Sequence, residues 1–81
     1  MQFFFRFVYN FRMETFSARL KQLRAEKGET LKEVSAALEL TLPCYAHYEQ
    51  GVREPSLSTL VKICDYFNVS ADYLLGRVDG Y

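Results

Sequence analysis

From Phe16 onward, apolar residues recur every three or four positions, the spacing of amphipathic helices, and short polar breaks divide the pattern into five stretches. Phe16, Leu20 and Leu23 form the first stripe, with Thr15 placed ahead of it as a cap and Gly28 behind it as a stop. Thr30 and Glu33 have the spacing of a capping box and open a second helix, with Leu31, Val34 and Leu38 facing inward. Thr41 caps a third. Pro43 lies in its first turn, where a missing N–H is harmless, and Gly51 ends it. Ser56, after Pro55, caps a fourth helix with Leu57, Leu60, Val61, Cys64 and Phe67 on one side. Ser70 caps a short fifth that carries Tyr73 and Leu74 and is closed by Gly76.

Each stretch is too short to be a stable helix alone. The five must bury their stripes against one another, which predicts an all-α, five-helix domain over residues 14–78, with residues 79–81 as a tail. Only Glu39 and Leu40 join the second and third helices. A turn that short makes the pair cross steeply and leaves one face of the third helix projecting, the helix-turn-helix arrangement.

Residues 1–13 follow a different rule. MQFFFRFVYNFR holds six of the thirteen aromatics, and its strongest pattern has period two. Phe3, Phe5, Phe7, Tyr9 and Phe11 fall on one face, as in a half-buried β-strand arm. A helical stripe of Phe4, Phe7, Val8 and Phe11 is the weaker pattern. A lone strand leaves its backbone unpaired, so the strand reading implies that two copies pair their arms and form a homodimer. The alternative is a loose extension upstream of Met13.

Composition narrows the function. Ten Lys and Arg balance ten Asp and Glu, so any face for nucleic acid must be local, since the surface as a whole is no polycation. Cys44 and Cys64 make neither a CxxC pair nor a disulfide framework and fit a reducing, cytoplasmic setting. One histidine cannot complete a metal set of Cys and His ligands, and no apolar run is long enough to span a bilayer. No nucleophile, base and orienting acid form a legible constellation, so the chain reads as a non-enzyme without cofactor or small-molecule substrate.

Three stretches carry a family likeness: RLKQLRAEKG at 19–28, TLKEVSAAL at 30–38, and YEQGVREPSLSTLVKICDYFNVSADYLLG at 48–76. Together they resemble the lambda-repressor/Cro-like helix-turn-helix domains (the xenobiotic response element family) of phage repressors and bacterial regulators. The resemblance implies double-stranded DNA as partner and the third helix as the groove-reading element. It also implies an interior ion pair between Arg24 and Glu49. The Arg24 stem follows apolar Leu23 and its fork can reach a carboxylate.

The DNA face departs from the family pattern. The positions that read bases correspond to Leu42, Pro43 and His47, with Thr41 and Ala46 beside them. Leu42 and Pro43 have no side-chain donors, so at best they touch a thymine methyl. Leu31 stands where the family often has a phosphate-binding glutamine. Residues 29–55 set Lys32 and Arg53 against Glu29, Glu33, Glu39, Glu49 and Glu54, a net charge of −3. Gln50, Arg53 and Lys32 remain as phosphate contacts, and His47 can bond a base or phosphate or simply face solvent. Glu39 occupies a turn position that is often glycine; a left-handed backbone there costs a side chain about 1 kcal/mol. Tyr45 and Tyr48 read as core with their hydroxyls at the rim, Cys64 as a small core residue, and Cys44 as partly exposed without a redox role.

Two functions follow from this reading. The first is a homodimeric, sequence-specific, repressor-like transcriptional regulator, controlled by operator occupancy or by a protein antagonist. The second keeps the fold as a protein-interaction module, antitoxin-like or anti-repressor, with Leu42, Pro43 and Tyr45 as its apolar patch.

Overall fold

The computed structural model describes the backbone of residues 2–81 and the side chains of residues 13–81. Among the described residues it holds five helices and no strand: α1 (Gln2–Lys27), α2 (Leu31–Ala37), α3 (Leu42–Gln50), α4 (Leu57–Phe67) and α5 (Ala71–Leu74). Thr30, Thr41, Ser56 and Ser70 cap α2 to α5, each side-chain oxygen accepting a backbone N–H from the first turn. At α2 the capping box closes both ways. Glu33 N–H donates to Thr30 Oγ1 at 3.1 Å, and Thr30 N–H donates to Glu33 Oε1 at 2.8 Å.

All five helices end in one motif. A left-handed residue follows the last turn at Gly28, Glu39, Gly51, Asn68 and Gly76. Its N–H bonds back three residues and the next N–H bonds back five, as in Glu39 to Ala36 at 3.1 Å and Leu40 to Ser35 at 2.9 Å. This pair of bonds satisfies carbonyls that a helix end leaves open. At Glu39 the motif is kept although the side chain is strained at φ 60°.

Thr15 is not a cap. It lies inside α1, because no Gly or Pro occurs before Gly28 to break the helix upstream. The backbone of residues 2–12 is likewise helical rather than extended, which lets N–H groups beyond the first turn bond within the helix instead of leaving a strand unpaired. The pairing assigned to Phe3, Phe5, Phe7, Tyr9 and Phe11 concerns side chains outside the described residues.

The core joins Phe16, Leu20 and Leu23 of α1 to Val34 and Leu38, Tyr45 and Tyr48, Ile63, Val69, Tyr73 and Leu74. Burying each such side chain is worth roughly 1.5–3 kcal/mol. The inner face of α4 differs from the expected one: Leu57 and Val61 are exposed, and Ile63 is fully buried with Leu60, Cys64 and Phe67 packed around the same core. Seven apolar residues on eleven positions exceed what one face can hold. The helix rolls so that Ile63, larger than Val61 and about 200° from it, goes inward. The Tyr45 hydroxyl is also not at a rim, since its side chain is completely enclosed.

The last residues fold back on the domain. Arg19 donates to the Val78 carbonyl at 2.7 Å, Ser70 N–H donates to the Tyr81 carbonyl at 2.8 Å, and the Tyr81 ring meets Tyr73 edge-on at 4.8 Å.

Candidate nucleic-acid interface

α3 is divided sharply into two sides. Tyr45, Tyr48 and Glu49 are buried, while Leu42, Pro43, His47 and Gln50 are exposed and Ala46 is half-buried. At 100° per residue the exposed positions and Ala46 share one arc, and the buried positions fill the opposite one. Thr41 spends its hydroxyl oxygen on the Cys44 N–H at 3.2 Å and opens the helix at the exposed end.

A two-point ion pair holds the inner side. Arg24 Nε donates to Glu49 Oε2 at 2.7 Å and Arg24 Nη2 to Glu49 Oε1 at 3.1 Å. Arg24 Nη1 also donates to the Glu29 carbonyl at 3.0 Å, just past the end of α1. The hydrogen bond Arg24 donates to Glu49 outweighs desolvation and holds the Arg24 pKa above its ordinary value. One guanidinium thus ties the end of α1, the following turn and the last turn of α3 together. Above the pair, Tyr45 Oη sits near Glu49 without a hydrogen bond of ordinary geometry. Burial first, and the neighbouring carboxylate second, push its pKa well above the usual tyrosine value. Tyr48 Oη instead accepts from Cys44 Sγ at 3.4 Å.

Gln50 and Arg53 meet at the other end of the helix. With Gly51, Val52 and Glu54 they line an open cleft of about 460 Å³ whose far wall is Met13, Glu14 and Ser17 of α1. Gly51, at φ 75°, approaches closely: a Cβ there would lie 3.3 Å from Ser17 Oγ. The α1 wall of this cleft, Met13, Glu14 and Ser17, is not legible in the sequence, because residues 17 and 51 meet only through the tertiary fold. Lys32 stands exposed near the start of α2, on a separate element from the α3 arc.

The carboxylates around α3 are less free than their number suggests. Glu49 is held by Arg24, Glu33 by the Thr30 N–H, and Glu29 by the Tyr66 hydroxyl; Glu39 pairs with Lys62 at 3.5 Å on the surface. Two of the compensating cations, Arg24 and Lys62, lie outside the 29–55 segment, so the local balance is milder than −3.

A family model described as helix-turn-helix matches residues 20–74, the span from the buried face of α1 to the end of α5. The chain belongs to the helix-turn-helix family. Its lambda-repressor/Cro-like branch has the same all-helical architecture. Among characterised and uncharacterised helix-turn-helix proteins it is similar to an uncharacterised HTH-type transcriptional regulator, YqaE, of Bacillus subtilis (strain 168). That match is 43% identical over 60 residues, 74% of this chain and 52% of that protein. The HTH-type transcriptional regulator ImmR of the same organism is 41% identical over 59 residues, 73% of this chain and 46% of that protein. The cryptic phage CTXphi transcriptional repressor RstR of Vibrio cholerae is 34% identical over 59 residues, 73% of this chain and 53% of that protein. The chain spans about half the length of the curated relatives it matches.

Proposed function

We propose that this chain is a sequence-specific DNA-binding module of a transcriptional regulator, placing α3 in the major groove. The observation that carries the reading is the two-sided α3. Its inner arc is locked by the core and by Arg24–Glu49, and its outer arc of Leu42, Pro43, Ala46, His47 and Gln50 is open over the whole helix length. A helix fixed on one side and bare on the other is what groove reading requires. Gln50 and Arg53 set the register on phosphates at one end of that arc, and Lys32 adds a third contact from α2. The relatives named as transcriptional regulators or as a repressor support the same assignment.

A homodimer reading two half-sites roughly 34 Å apart suits this arrangement, with a protein antagonist as a further partner. Among the described residues no helix is long and apolar enough to cross a membrane, and a cytoplasmic setting fits the free thiols. The second reading, a protein-interaction module, draws on one observation: the apolar, half-exposed Leu42 at the tip of α3.

Titration with a generic duplex at 50 and 200 mM salt separates the two. DNA binding predicts measurable affinity at the lower salt and a steep fall at the higher. No binding at 50 mM leaves the interaction module as the better account.

A further inference from the structure

We infer that the tip of α3 reads thymine through its methyl group, so that the preferred half-site carries thymines facing Leu42 and Ala46. This rests on the proposed binding of duplex DNA and specifies which base chemistry that binding selects.

Few backbone donors are left free in the first turn of α3. Pro43 has no N–H, the Cys44 N–H is spent on Thr41 Oγ1 at 3.2 Å, and the Tyr45 N–H on the Thr41 carbonyl at 3.1 Å. The Leu42 N–H is the one amide of that turn without an internal partner among the described residues. The Thr41 N–H ahead of it is also free among those residues, but neither Leu42 nor Pro43 carries a side-chain donor for a purine acceptor edge.

What it offers is apolar surface at the right place. Leu42 is 45% exposed, Pro43 is exposed beside it, and Ala46 follows one turn on along the same edge. In the major groove only thymine presents a methyl group, at C5. Cytosine presents an amino group at the neighbouring position, and bringing Leu42 against it would strand a donor. Leu42 and Ala46 lie about one helical turn apart, roughly 6 Å, against a base-pair rise of about 3.4 Å. They reach separate base pairs, so the inference predicts one or two methyl contacts per half-site. Discrimination comes from excluding polar edges as much as from attracting the methyl.

The test uses a duplex selected from random sequence by the protein itself, in which each thymine in turn is replaced by deoxyuridine. The exchange deletes the methyl and leaves every hydrogen-bonding group in place. One or two positions per half-site should lose about fourfold in affinity, the value of one buried methyl-sized group. In Leu42→Ala, whose side chain takes no part in the core, the loss at one of those positions should shrink to nearly none. If every exchange changes affinity by less than about 1.5-fold, or if Leu42→Ala keeps the full loss at each sensitive position, the inference is overturned while DNA binding stands. If no duplex is selected and a generic duplex shows no salt-dependent binding, the DNA-binding reading fails first and takes this one with it.

Discussion

Arg24 and Glu49, 25 residues apart, are joined by two hydrogen bonds of 2.7 and 3.1 Å, with Glu49 almost wholly buried and Arg24 about one-fifth exposed. The pair converts the last turn of α3 into part of the core and so decides which side of the helix stays open. Arg24→Ala leaves a buried carboxylate with no cation and should cost about 3–5 kcal/mol. Thermal unfolding at neutral pH should show a large drop in melting temperature. Arg24→Lys should recover only part of it, since an ammonium cannot match the two-point geometry. A melting temperature within a degree of the parent for Arg24→Ala would mean the pair stabilises nothing.

Tyr45 presents a different case, a fully enclosed hydroxyl beside the Glu49 carboxylate with no hydrogen bond of ordinary geometry. Tyr45→Phe removes a desolvated polar group and keeps the ring, so stability should hold or rise by about 1 kcal/mol. Its pKa is raised in the folded protein, so the stabilising difference is intact below about pH 10, the ordinary tyrosine value, and is lost as pH rises beyond it. Denaturant titrations at pH 8 and pH 11 should show the parent losing more stability than Tyr45→Phe across that interval. A neutral-pH loss above about 1 kcal/mol in the variant would instead reveal a hydrogen bond to the hydroxyl.

Helix ends were the most legible part of this chain because caps are local. Thr30, Thr41, Ser56 and Ser70 each act on a backbone N–H in their own first turn. Thr15 has the same chemistry and does not cap, because capping also needs the preceding residues to leave the helix, and nothing between Gln2 and Glu14 makes them do so. The roll of α4 was not legible: two overlapping stripes fit its sequence, and only packing against α5 and the core chooses Ile63 over Val61. On the candidate site, the exposed arc of α3 follows from periodicity. Ser17 in the Gln50–Arg53 cleft, the enclosed Tyr45 hydroxyl, the Tyr66 partner of Glu29 and the Lys62 partner of Glu39 depend on residues distant in sequence that no stripe encodes.

The turn between α2 and α3 holds a side-chain-bearing residue in the left-handed region. Glu39 adopts φ 60°, and its surface contact to Lys62 at 3.5 Å contributes little in return. Glu39→Gly relieves the side-chain clash of a left-handed residue, against a larger loss of chain entropy on folding, and should raise stability by about 0.5–1 kcal/mol. Equilibrium urea unfolding reads this as a higher midpoint with an unchanged slope. A lower midpoint would show that the Glu39 side chain, and not the backbone bonds from residues 39 and 40, holds the turn.

Arg53 tests the placement of the phosphate contacts. It is exposed, shares a cleft with Gln50, and lies outside the exposed arc of α3. Arg53→Ala should weaken binding to selected and generic duplexes by similar factors, and should reduce the slope of log affinity against log salt by about one unit. Because the side chain is solvated, thermal stability should stay close to that of the parent. A contrasting pattern, in which the selected duplex suffers far more than the generic one and the salt slope is unchanged, would move Arg53 from the backbone to a base edge. That result would shift the recognition surface from the outer arc of α3 toward the loop before α4.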